Sequence, residues 1–174
     1  MLTCASIGVT GALLLAPANW ASTALFTVWP TASIGLAGLW ILPSVVALRL
    51  LQRPGAGLLV GLLAGLVLVP VSRFGLTSVL TNLWWAFFAE VGFLATGYRA
   101  WRTWQHYVGA AAAGVVYPLT AAGFFGLWVQ PLWSQVLFFA LCAGSLLLAT
   151  WCGIAIADAL RRGGVGLARA SRAR

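Results

Sequence analysis

Long apolar runs, broken at short intervals by proline, glycine and arginine, set the pattern of this chain. Six runs stand out, at residues 2–16, 32–51, 56–71, 78–98, 106–128 and 134–160. About 20 apolar residues in a helix cross the roughly 30 Å hydrocarbon core of a bilayer, so most of these runs are long enough to span one. The pattern predicts an all-α, polytopic membrane protein of six transmembrane helices. Pro17 is expected to end the first helix, and Arg53-Pro54-Gly55-Ala56 is a tight turn between the second and third. Residues 17–31 then form a loop holding Asn19, Trp20, Trp29 and Pro30. It is apolar and aromatic, so it is expected to lie at the membrane surface, with the tryptophans either anchoring it or covering a pocket.

Small residues form stripes within two runs. Cys4, Gly8 and Ala12 recur every fourth position in the first, and Gly57, Gly61 and Gly65 in the third. Both stripes allow close helix approach without saying to what. Pro118, after Tyr117, sits inside the fifth run and is expected to kink it. Asp158 precedes Arg161 and Arg162 by one helical turn, which predicts an interfacial ion pair at the end of helix six.

Composition strengthens the membrane reading. The chain of 174 residues is 62% hydrophobic and 7% charged, too few charges for a soluble domain of this size. No polar segment is long enough to be a second domain, so residues 1–174 read as one transmembrane domain whose end, 161–174, is a basic cytoplasmic tail. All of the net charge of +8 comes from arginine. Arg49, Arg53, Arg99, Arg102, Arg161, Arg162, Arg169, Arg172 and Arg174 fall on one side of the predicted topology, and Arg73 alone on the other. That asymmetry places both termini in the cytoplasm and argues for topology rather than nucleic-acid binding. Residues 13–18 resemble a signal-peptide core and cleavage site, but no positive segment precedes them, so the first helix is expected to be retained. Cys4, Cys142 and Cys152, with no CxxC and no nearby histidine, suggest neither a metal site nor a disulfide framework.

The fourth run carries Glu90, the one carboxylate inside an apolar span. Counted back from Arg99 at about 1.5 Å per residue, it lies roughly 13 Å deep. Asn82, Trp85, Ala86, Ala89, Glu90 and Phe93 share a helical face, which offers an amide, an aromatic ring, room and a carboxylate. Such a face suits a pocket for a cationic or amine-bearing ring. The alternative is a glutamate bonded to a neighbouring helix as bundle glue. Enzyme signatures are lacking: His106 is the sole histidine, and there is no GxSxG, HExxH or Walker motif. An autonomous ion-coupled carrier would want inverted repeats and several intramembrane polar groups. A structural or assembly subunit is the third possibility.

Several blocks bear a family likeness: Arg53-Pro54-Gly55-Ala56, Ala89-Glu90 followed by Phe93-Leu94-Ala95-Thr96-Gly97, Tyr117, and Gly153 through Asp158. In order and spacing the chain resembles the YkoE-like S components of energy-coupling factor (ECF) transporters. The resemblance implies a multi-pass plasma-membrane protein that captures thiamine, its hydroxymethylpyrimidine precursor or a related vitamin from outside. It implies docking onto a transmembrane T component with two cytoplasmic ATPases, through small residues on helix one, which Cys4, Gly8 and Ala12 would supply. It implies no cofactor and no catalysis. The expected ligand site comprises Glu90, Asn82, Trp85, Tyr117, Trp128, Trp133 and Trp20. Gly61 and Pro118 stand where members of the family have acidic residues, which points to a less cationic ligand.

Overall fold

The structure, a computed structural model, describes residues 2–165 of the chain. Helices α1 (Leu2–Val28), α2 (Pro30–Ser33), α3 (Gly38–Leu51), α4 (Ala56–Leu68), α5 (Thr77–Leu94), α6 (Thr103–Ala121) and α7 (Leu132–Arg162) follow one another. A 3-10 turn at Ile34–Leu36 joins α2 to α3, so the described residues make six long helical segments. The architecture is the all-α bundle expected. Among the described residues three segments, Leu2–Val28, Pro30–Leu51 and Leu132–Arg162, are by themselves long and apolar enough to cross a membrane. The chain is a membrane protein.

α3 occupies the middle of the bundle, against α7, α4, α5 and α1, while α1 packs on α4, α4 on α5, α5 on α6 and α6 on α7. Ile41, Val45 and Leu48, one turn apart along α3, are fully buried in the core beside Phe93 and Phe138. Glycine sets the close approaches. A Cβ on Gly61 would come within 2.9 Å of the Asn82 carbonyl, and one on Gly65 within 2.7 Å of the Val79 Cα. The glycine stripe of α4 is therefore the seat of α5.

The first helix overturns an expectation. Instead of ending near Pro17, α1 continues through it to Val28, with Pro17 inside. In an apolar bundle a proline is tolerated within a helix because neighbouring groups satisfy the freed backbone. Beyond Pro17 the helix carries its polar side chains on its own backbone, with Asn19 Nδ2 donating to the Leu15 carbonyl at 3.0 Å and Thr23 Oγ1 to the Asn19 carbonyl at 2.9 Å. The expected surface loop is thus mostly helix. Its real break comes at Trp29, in extended conformation with φ −149°.

The stripe of Cys4, Gly8 and Ala12 is also reassigned. All three are buried, Cys4 among Ala47 and Val60, and Ala12 against Ala64 and Leu68. A Cβ on Gly8 would stand 2.8 Å from that of Leu63. The face proposed for a docking partner is taken by the chain's own α4.

At one end of the bundle Arg49 grips Asp158 through two bonds, Nε at 2.8 Å and an Nη at 3.0 Å. Arg161 donates instead to the Leu50 carbonyl at 3.2 Å. The ion pair of Asp158 is therefore with α3 rather than with its own helix. Arg53, Arg99 and Arg102 lie in the connections at this same end, and Arg73 in the connection at the other. Arg169, Arg172 and Arg174 of the basic tail lie outside the described residues.

Candidate functional site

The Arg73 end of the bundle opens into a cavity of about 420 Å³, a size that suits a small organic ligand. α1 contributes Asn19, Ser22, Thr23 and Phe26 to its wall. The stretch from α2 into α3 adds Ser33, Ile34, Ala37 and Trp40. Arg73 and Phe74 come from the connection before α5, which itself adds Ser78, Thr81, Asn82 and Trp85. Tyr117, Phe124 and Phe125 complete it from α6 and the turn beyond.

Helical periodicity explains why these side chains converge. Residues 19, 22, 23 and 26 and residues 78, 81, 82 and 85 are each spaced by three, four and seven, one face of an α-helix. The bundle turns both faces to the same space. Aromatic contacts hold the walls: Trp85 and Tyr117 have ring centroids 4.9 Å apart, and Phe26 meets Phe124 at 5.5 Å and Phe125 at 5.3 Å. The last contacts tie the end of α1 to the α6–α7 connection and close that side.

The polar groups on the wall are few. Asn19 and Asn82 are buried and spend their amide Nδ2 on their own helices, at 3.0 Å to Leu15 and 2.8 Å to Ser78. Among the described residues no hydrogen bond reaches either Oδ1, so both remain as acceptors. Ser78 is buried, and its Oγ has no partner. A buried hydroxyl left unbonded is costly, and a ligand or water in the cavity would relieve that cost.

Of the expected site residues, the structure brings Asn82, Trp85 and Tyr117 to the cavity. It does not bring Trp20, Trp128 or Trp133, which are more than half exposed and suit an interfacial belt.

Glu90 is elsewhere too. α5 ends at Leu94 rather than near Tyr98, so Glu90 lies about 6 Å from the helix end, toward the arginine-rich face. Its carboxylate is fully buried and accepts from the backbone N–H of Gly55 at 3.2 Å and of Leu58 at 3.0 Å, and from the Tyr98 hydroxyl. Glu90 thus caps the N-terminus of α4 from a neighbouring helix, where a negative charge meets the positive end of the helix dipole. It does not line the cavity. Burial first, then the bond to Glu90 and its charge, hold the Tyr98 phenol well above its usual pKa.

Asn19, Ser22, Thr23 and Phe26 were not anticipated, nor were Ser78, Thr81, Arg73 and Trp40. The signal for the first four was present as three polar residues and a phenylalanine at helical spacing. Taking Pro17 as a stop concealed it.

A family model described as ABC-type cobalt transport system, permease component, matches residues 1–116. The chain belongs to that family. Its bundle is similar to a solved protein described as an S-component of ECF transporter, with a TM-score of 0.79, 24% sequence identity, and coverage of 94% of this chain and 85% of that one. The fold of this permease-family member is that of an ECF S component. No curated protein matches the sequence significantly. Among the described residues of this family member, no three His, Cys, Asp or Glu side chains come together to hold a metal ion.

Proposed function

We infer that the protein is the substrate-binding component of an ECF-type ABC transporter, capturing a small vitamin-like molecule for ATP-driven uptake. The observation that carries this reading is the cavity at the Arg73 end, walled by Trp40, Trp85 and Tyr117 and furnished with buried polar groups. A planar ring fits such walls, since aromatic faces gain about 0.5–1.5 kcal/mol from stacking beyond the area they bury. The arginine asymmetry turns the cavity outward and the Arg49–Asp158 end toward the cytoplasm of a plasma-membrane protein. A T component and two ATPases would supply the energy, docking on a surface other than the buried stripe of Cys4, Gly8 and Ala12.

The resemblance implied thiamine or hydroxymethylpyrimidine. Of these the aminopyrimidine ring suits the site: its amino group would donate to Asn19 or Asn82 Oδ1 and its face would stack on Trp85. The thiazolium cation of thiamine would find no carboxylate on the wall, because Glu90 caps α4 and Asp158 is bound to Arg49. The family's description refers to cobalt, and the donors on the wall, amide, hydroxyl and aromatic, do not suit that cargo.

The test is uptake of radiolabelled hydroxymethylpyrimidine into vesicles, with binding to the purified protein followed by quenching of tryptophan fluorescence. Binding by the protein alone, with uptake only when a T component and ATPases are present, is expected. Uptake by the protein alone would favour an autonomous carrier, and no binding of any small ligand would favour an assembly subunit.

A further inference from the structure

We propose that the ligand of this cavity is a planar ring carrying an anionic group, a carboxylate or a phosphate, held at the mouth by Arg73 and Ser78. The inference rests on the cavity being the substrate site and adds the charge of what it binds.

Among the described residues Arg73 is the one charged residue on the cavity wall. The chain contains two side-chain carboxylates, and both are engaged at the far end of the bundle, Glu90 by Gly55, Leu58 and Tyr98, and Asp158 by Arg49. Arg73 therefore has no acid to pair with; its guanidinium carbon stands 6.0 Å from the centroid of Phe74. A guanidinium presents five donors in a fork that fits carboxylate or phosphate oxygens.

Ser78 is an independent pointer. It is 4% exposed, lines the same cavity, and its Oγ has no partner. It sits in the first turn of α5, whose N-terminal dipole favours a negative charge nearby. The N–H groups of Thr77, Ser78 and Val79 are spent on the carbonyls of Phe74, Gly75 and Leu76. At this turn the hydroxyl and the guanidinium are therefore the groups left to bind. Deeper in, Asn19 and Asn82 offer acceptors to the ring's own donors, while Trp40 and Trp85 offer faces. Negative charge at the mouth and hydrogen-bond donors within make one polarity, and a cation is its opposite.

The experiment is a fluorescence titration of the full chain, purified in nanodiscs, with hydroxymethylpyrimidine, its monophosphate ester and thiamine. The monophosphate is expected to bind at least tenfold more tightly than the neutral alcohol, with thiamine weakest. Arg73→Gln, at an exposed position that leaves the fold intact, should bring the monophosphate and the alcohol within about threefold of each other. Ser78→Ala should weaken the monophosphate more than the alcohol. Equal or tighter binding of the alcohol, or tightest binding of thiamine, overturns the charge inference and leaves the substrate-binding function standing. Should no pyrimidine bind, that choice of ring fails and nicotinate against nicotinamide decides the charge. A tenfold preference for nicotinate that Arg73→Gln abolishes supports the inference, and parity or no binding of either overturns it.

Discussion

Tyr98 donates its hydroxyl to Glu90, eight residues earlier, and the same carboxylate receives two backbone N–H groups from the start of α4. Tyr98 sits in the left-handed region at φ 58°, a conformation a tyrosine rarely takes unless its surroundings hold it there. The bond to Glu90 and the Trp101 ring, 5.9 Å away, do so. Glu90→Ala leaves three partly buried donors without their acceptor; at about 1 kcal/mol each, a loss of about 3 kcal/mol is expected. Thermal stability followed by size-exclusion chromatography measures it. Tyr98→Phe should cost less, about 1–2 kcal/mol. In protein that remains folded, ligand affinity should be nearly unchanged by either substitution, whereas a ligand-binding Glu90 would give the reverse pattern.

The Arg49–Asp158 pair joins α3 to α7 at the arginine-rich end. Its side chains are partly exposed, 19% and 32%, so solvent weakens the attraction. A double-mutant cycle with Arg49→Met and Asp158→Asn should give a coupling of about 1 kcal/mol or less. It should fall as salt is raised.

Substitutions in the two small-residue stripes distinguish internal packing from partner docking. Gly61→Leu would drive its side chain into the backbone of α5, and Gly8→Leu would collide with Leu63. Each should destabilise the isolated protein by about 1–3 kcal/mol or prevent its folding. A stripe reserved for docking would instead yield a stable variant that fails to assemble, as a pull-down with the T component would show.

Tryptophan substitutions sort wall from belt. Trp85→Ala removes a ring that touches Tyr117 and the cavity, and should weaken ligand binding about tenfold, as the loss of a stacking partner and its buried area implies. Trp20→Phe, Trp128→Phe and Trp133→Phe should leave affinity within about twofold. Equilibrium titration by calorimetry checks both without relying on the fluorophores that are changed.

Much of the scaffold was legible because its causes are local. Apolar length predicts helices that cross a membrane, and Pro54-Gly55 stops one helix and starts the next. The shared face of Asn82 and Trp85 follows from periodicity alone. Pro17 misled because a helix-breaking rule drawn from solvated chains weakens in an apolar bundle, where the backbone has no water to turn to and stays helical.

By itself the sequence determined the all-α class, the six segments, the asymmetry of the arginines and the scarcity of carboxylates. Only the tertiary structure decided what each polar group meets. A buried glutamate must find donors, but whether these belong to a ligand or to Gly55 and Leu58 depends on where α4 begins relative to α5. A glycine stripe needs a close neighbour, and only packing names it as α4 against α1 or α5. Arg73, an ordinary loop residue in one dimension, gains its meaning from the cavity beside it, because an unpaired charge is defined by its distance from every other charge in the fold.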